Sequence, residues 1–270
     1  MMPRTLTWVR HGESEGNWAR TLAEAGQAHA READLMSVHT CERRLTEKGV
    51  EQAKRAGAWL RKHWDGNTAS PEDRQFIVSP YVRAIETAGH LGLDGRWIQD
   101  TRVVERNWGT IDSHTYEQRI ALFGEQLEDR KSEAFFWRPA DGETLQDVFN
   151  RIRAFLDTMR RKCTNKHVLV VCHGETMWAV RYLLEYWTPQ KLADEMQTRN
   201  NQTRLINCRI VQYVRDNDDE FGPKFDRVRF IDPSNPDDPE RNRDWKRITR
   251  PTYSSEELID MAESRQRFLV

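Results

Sequence analysis

No stretch of this 270-residue chain is apolar for the roughly eighteen residues that a membrane-crossing helix needs. Met1 to Arg4 lead directly into a strand candidate, with neither a signal nor a transit peptide, so a cytoplasmic protein that avoids membranes is expected. Cysteine is scarce. Cys41, Cys163, Cys172 and Cys208 show neither paired metal spacing nor a dense disulfide framework, which leaves reduced thiols. Net charge is almost nil, at −1, which excludes a nucleic-acid or polyanion binder driven by overall charge. Any attraction for anions must be local. Only 37% of residues are hydrophobic and 31% are charged, yet ten tryptophans supply bulky core material. At about 100–200 residues per domain, the length fits one large α/β domain with extensions, or two small ones.

What is present is organised around Thr7-Trp8-Val9-Arg10-His11-Gly12-Glu13-Ser14. An apolar run from Thr5 to Arg10 stops at an Arg-His-Gly turn, and Ser14 is placed to cap a helix running to about Asp34. The pattern returns at His167–Cys172, followed by His173-Gly174-Glu175-Thr176. Between them, Met36 to Arg44 reads as a loop, and Thr46 opens a second helix with Val50, Ala53, Ala56, Gly57 and Leu60 on one stripe. Gln75–Val78 is a short strand, after which Ser79-Pro80 reads as a cap and first helical residue, with Arg83 in the first turn. Trp97-Ile98 is a further strand. Helices are expected over Tyr116–Asp129, Leu145–Arg161 and Thr176–Trp187, the last ended or interrupted by Pro189. Leu205–Val214 is expected to end the sheet, with another strand candidate at Arg227–Ile231 and a last helix from Ser255 to about Gln266.

Strands alternating with helices imply a three-layer α/β/α fold around a mostly parallel central sheet. Ligands of such sheets sit outside the carboxyl ends of the strands. Three strand-to-helix junctions carry loaded residues there: Arg10-His11, Arg83 and His173. Each also offers a helix N-terminus, whose free amides and dipole favour an anion. Two arginines and two histidines in a nearly neutral protein suit a phosphoryl group, since the guanidinium fork matches phosphate oxygens. A neutral imidazole is a nucleophile, and nearby arginines disfavour its protonation. A carboxyl group is then needed to protonate the leaving oxygen, with a pKa raised by partial burial and hence an acidic optimum.

The chain resembles the histidine phosphatase (phosphoglycerate mutase-like) superfamily, branch 1. The resemblance lies in Arg10-His11-Gly12-Glu13-Ser14, Leu45-Thr46…Gly49…Gln52-Ala53, Ser79-Pro80-Tyr81…Arg83-Ala84…Glu86-Thr87-Ala88, Glu105-Arg106-Asn107-Trp108-Gly109 and His173-Gly174. It spans roughly Thr5 to Val214 in the family's order. It implies His11 as a phosphorylated nucleophile, Arg10, Arg83 and His173 as phosphate ligands, Glu105 as proton donor and Asn17 as a pocket residue. It implies no metal and no cofactor, and the remaining histidines show no ligand-like spacing. Arg20 and His39 are further candidates for the pocket entrance. It also implies residues 1–215 as the catalytic domain, with cap or lid segments at 18–44 and 110–142. A C-terminal extension, 216–270, would pack on that domain.

The interval Trp18–Arg44 is longer than in the mutases, and no paired arginines follow Leu122-Phe123-Gly124-Glu125-Gln126. Instead, Phe135-Phe136-Trp137-Arg138-Pro139…Gly142-Glu143-Thr144 and Ser37-Val38-His39-Thr40 are similar to broad-range acid phosphatases of fungi and plants. The expectation is a metal-independent phosphomonoesterase acting on a phosphorylated small molecule, or on a phosphoprotein, and releasing inorganic phosphate. A phosphoglycerate mutase or related phosphoryl transferase is the alternative. A catalytically inactive phosphoprotein-binding module is the rival of another class. The aromatic run at Phe135–Trp137 is read as core or lid packing rather than a substrate box.

Overall fold

The computed structural model describes residues 1–27, 30–132, 135–198, 200–215 and 224–268. In chain order the elements are β1 (Thr5–Arg10), α1 (Glu15–Glu24), α2 (Glu32–Ser37), α3 (Glu47–His63), β2 (Arg74–Val78), α4 (Val82–His90), β3 (Trp97–Gln99), α5 (Tyr116–Ser132), α6 (Leu145–Lys162), β4 (His167–Cys172), α7 (Gly174–Leu184), α8 (Pro189–Gln197), β5 (Ile210–Arg215), β6 (Phe225–Ile231), β7 (Arg243–Arg247) and α9 (Ser255–Glu263). Among these residues, no helix is long and apolar enough to cross a membrane.

The strands form one sheet in the order β3-β2-β4-β1-β5-β6-β7. β3, β2, β4 and β1 are parallel neighbours. The last three pair antiparallel in turn, so β6 runs with the parallel set while β5 and β7 oppose it. The expectation that Leu205–Val214 ends the sheet is therefore corrected: β6 and β7, from the segment after 215, carry it on. β1 is covered on both faces, which suits its apolar positions, not strictly alternating. Leu6 and Trp8 join Val168 and Val170 against α6 and α7, where Trp8 meets Phe155 edge-on at 5.6 Å. Val9, Leu169 and Val171 face the other way, onto Ala53, Ala56 and Leu60 of α3 and Ala84 and Ala88 of α4. The sheet with these two helical layers is the expected sandwich.

Local chemistry sets most helix starts. Ser14 and Asn17 form a reciprocal capping box at α1, and the Thr46 hydroxyl accepts the Gly49 amide at α3. Four expectations need correction. The helix expected to reach Asp34 stops at Glu24, because Gly26 takes a left-handed φ of +72° and reverses the chain. α2 begins at Glu32 and takes Met36 and Ser37 out of the expected loop, while residues 28–29 lie outside the described set. Ser79 does not cap α4. That helix starts at Val82 with Tyr81 in the cap position, and the Ser79 hydroxyl is used elsewhere. α7 begins two residues before Thr176, with His173 at its cap, and Pro189 opens α8 rather than breaking a helix.

The turn after β1 is set by backbone contact. A Cβ on Gly12 would lie 2.4 Å from the Gly49 carbonyl oxygen, and one on Gly49 would lie 2.0 Å from that of Glu13. The Glu13 carbonyl accepts Thr46 N–H at 2.9 Å, and the Arg44 carbonyl accepts Glu15 N–H at 3.0 Å. The start of α3 thus clamps the turn that carries His11.

Candidate active site

Strand register brings the three junctions together. Arg10 pairs with Cys172, and Val78 with Val171, so residues 10–11, 79–83 and 173 leave the same edge of the sheet side by side. The His11 amide donates to Cys172 O at 2.9 Å and the Ser79 amide to Val171 O at 3.0 Å. The rings of His11 and His173 are 5.1 Å apart.

His11 is buried and its ring is held at both nitrogens. Nδ1 lies 2.7 Å from Gly12 O, which can only accept, so Nδ1 carries the proton. Nε2 therefore presents a lone pair, and Arg83 Nε donates to it at 3.3 Å. Arg83 is buried too. Its Nη1 donates to Thr40 O at 2.5 Å, and its guanidinium lies 4.9 Å from the centre of the Tyr81 ring. Arg10 donates from Nη1 to Leu205 O at 2.5 Å, while its buried Nε has no hydrogen-bond partner among the described residues. Burial lowers the Arg10 pKa to about 10, against the pull of Glu105, so the cation persists at neutral pH.

His173 is fully buried. Its Nε2 is 2.7 Å from Ser79 Oγ, its Nδ1 has no partner among the described residues, and the Tyr81 ring meets it edge-on at 5.0 Å. Glu105 lies across the start of α7. Its Oε2 accepts Gly174 N–H at 3.1 Å, and its Oε1 accepts Glu175 N–H and Arg106 N–H, each at 3.1 Å. That carboxylate occupies the anion position a helix N-terminus offers. Arg151 supports the segment, donating to Val104 O at 2.8 Å and Glu105 O at 3.2 Å.

Burial holds His11 and His173 well below the ordinary imidazole pKa, and the Arg83 charge pushes both the same way. An unfolded chain protonates both below about 6.5, whereas the folded chain does not. The unfolded state then binds more protons, so stability falls as pH drops below about 6.5, by up to about 1.4 kcal/mol per pH unit for each ring. Thermal melts between pH 7 and 5 should show that slope. His173→Asn should remove about one proton's share of it, and a flat native profile would contradict the burial of neutral rings.

A cavity of about 500 Å3 opens over this floor. His11, Arg10, Arg83, Glu105, Asn17 and Arg20 line it, while His173 lies beneath. Asn17 also serves the helix start: its Oδ1 accepts Ser14 N–H and Asn207 Nδ2–H. His39 is not brought in. Its exposed ring contacts Cys41 Sγ at 2.9 Å, and it is Thr40 that reaches the cavity. Segments 18–44 and 110–142 supply most of the outer wall, including Arg43, Asp112, His114 and Arg119, which the sequence reading missed. Arg43 stands beside the Leu45-Thr46 motif, a signal that could have found it; Asp112 and Arg119 carry no local signal. Of the aromatic run, Trp137 and Phe135 pack against Trp108 and Phe149, as expected, whereas Phe136 is exposed and departs from the expected packing role. Among the described residues, no cluster of three or more His, Cys, Asp or Glu could hold a metal ion.

Comparison with known proteins places this geometry. Residues 6–210 match the family described as Histidine phosphatase superfamily (branch 1). The chain is 29% identical over 223 residues to the phosphoglycerate mutase-like protein AT74 of Arabidopsis thaliana, covering 76% of this chain and 65% of that protein. It is 28% identical over 202 residues to a 2,3-bisphosphoglycerate-dependent phosphoglycerate mutase of Azorhizobium caulinodans, covering 70% and 85%. Among solved structures, a mycobacterial glucosyl-3-phosphoglycerate phosphatase with inorganic phosphate superposes with a TM-score of 0.56 at 21% identity, covering 78% of this chain and 90% of that one. A phosphoserine phosphatase of Entamoeba histolytica, in complex with 3-phosphoglyceric acid, gives 0.55 at 19%, covering 78% and 90%. These likenesses establish the fold, and the family match carries the assignment: the chain belongs to branch 1 of the histidine phosphatase superfamily.

Proposed function

We propose that the protein is a phosphomonoesterase in which His11 Nε2 attacks phosphorus and the ester oxygen departs. The observation that carries this is the buried His11 ring, neutral, with its proton fixed on Nδ1 and its free lone pair beside Arg83. Attack forms the N–P bond as the P–O ester bond breaks. Arg10 Nε and the Arg83 guanidinium take the equatorial oxygens, whose charge they stabilise. Ser79 prepares the third donor. Its oxygen is 3.4 Å from Tyr81 N–H, which donates to it, leaving its own proton for His173 Nε2. The neutral His173 ring then carries its proton on Nδ1, the buried atom without a partner.

An incoming phosphoryl oxygen competes for the Gly174 amide and releases Glu105 toward the leaving group. Glu105, a carboxylate at rest, takes a proton from the bound phosphomonoester monoanion and gives it to the departing alkoxide. It then takes one from the water that cleaves the phosphohistidine, and inorganic phosphate leaves. Rapid mixing with a phosphomonoester and alkaline denaturation should trap a base-stable, acid-labile phosphoryl group on the peptide containing His11. Turnover without any such species would end this reading. The relatives named as mutases make interconversion of phosphoglycerates the second reading. The same assay separates them, since a mutase with a bisphosphoglycerate primer exchanges phosphoryl groups without net phosphate release.

A further inference from the structure

The cavity is far larger than its floor needs. Its 500 Å3 is more than ten times the roughly 30 Å3 share of one water molecule, and lies in the range that encloses a drug-sized ligand. Floor and wall also differ in how their charges are employed. On the floor, Arg10 Nε and His173 Nδ1 are buried without hydrogen-bond partners among the described residues. Such atoms are costly unless a ligand meets them.

On the outer wall the cations face carboxylates. Arg119 donates to His114 O at 2.9 Å, and its Nη2 lies 3.8 Å from Asp112 Oδ1. Arg43 donates to the backbone carbonyl of Asp112 at 2.8 Å. Arg20 lies 3.7 Å from Glu24, and Glu32 accepts the Tyr116 amide at 3.0 Å. Three arginines thus face Asp112, Glu24 and Glu32 across one cavity, so the wall is neutral as a whole. Between the charges, Met36, Ile111, Ile120, Trp178, Met196 and Leu205 give an apolar lining.

Resting on the phosphatase reading above, we propose that the substrate is a phosphomonoester whose phosphoryl group is its only charge, carried on a partly apolar body. Asp112 and Glu24 are specificity-determining residues that turn away a second anion. A substrate carboxylate entering the wall meets Asp112 or Glu24 beside each arginine it could use. Like-charge juxtaposition of this kind disfavours the wrong ligand more than it helps the right one.

The test uses benzyl phosphate, glycerol 1-phosphate and 3-phosphoglycerate. All three leave as primary alkoxides, so differences in kcat/KM report the body and not the leaving group. Benzyl phosphate should be the best substrate, and 3-phosphoglycerate at least about tenfold worse than glycerol 1-phosphate. Asp112→Asn should raise kcat/KM for 3-phosphoglycerate by about tenfold and leave benzyl phosphate within about twofold. Glu24→Gln, at an exposed site that folding tolerates, should move it the same way by a smaller factor. Calorimetric titration of the three esters into His11→Ala protein separates specificity from turnover. If the wild type hydrolyses none of them and the titration keeps the ranking, the phosphatase reading fails and this proposal stands. Equal use or equal binding of 3-phosphoglycerate and glycerol 1-phosphate overturns it, as does binding of none. An Asp112→Asn protein whose ranking is unchanged overturns it too.

Discussion

His11→Ala should lower phosphate release from any phosphomonoester by on the order of 10^4-fold or more, while inorganic phosphate still binds within a few-fold of the native protein. The asymmetry follows from the division of labour in the floor. In the proposed mechanism Arg10, Arg83 and His173 hold oxygens in the free and transferring phosphoryl group alike, whereas His11, whose Nε2 lone pair lies beside Arg83, alone attacks phosphorus. Deleting a nucleophile removes a covalent pathway, whereas deleting one electrostatic donor costs only about 10^2- to 10^3-fold. The variant should fold, because the ring's own hydrogen bonds go to Gly12 and Arg83 and the turn is clamped independently by Thr46 and Gly49. Steady-state phosphate release and calorimetry with phosphate check the two halves. Residual activity within tenfold of native would assign the attack to another group.

Glu105→Gln should show an effect that depends on what departs. For an alkyl phosphate, whose alkoxide needs a proton, the rate should fall by about 10^2- to 10^4-fold. For p-nitrophenyl phosphate, whose phenolate leaves unprotonated, the fall should be tenfold at most. A series of leaving groups of graded basicity therefore gives a steeper rate dependence in the variant than in the native protein. This readout excludes a purely structural role. Glu105 also joins the 105–106 segment to the first amides of α7, and damage to that joint would slow every substrate alike. A uniform loss would make Glu105 a brace and leave the proton donor to be found elsewhere.

Much of the floor was legible because its signals are local. The apolar run before Arg10-His11, the caps at Ser14 and Thr46 and the run before His173 each announce a strand or helix end within a few residues. Parallel strands then leave little choice about which ends meet, and Arg10, His11, Arg83 and His173 do converge. What was not legible depends on partners far along the chain. Arg43 meets the carbonyl of residue 112, and Glu105 meets the amides of 174 and 175. No periodicity encodes such pairings. Ser79 has a local capping habit, yet it bonds His173, the residue just past the end of another strand. Gly26 was outweighed by its Ala-, Glu- and Arg-rich surroundings, although its left-handed backbone ends the helix. β6 alternates only weakly, and its place in the sheet is decided by pairing with β5.

The position of β1 bears on how the molecule is made. The strand that leads to His11 lies in the middle of the sheet, and Thr5 pairs with His167 on one side and Val214 on the other. During synthesis both of its partners, β4 and β5, follow it late, so it keeps two open edges until they emerge. Unpaired apolar strands are templates for aggregation, and long-range parallel pairing is slow. The segment that carries His11 therefore gains from chaperone protection until β4 and β5 close over it.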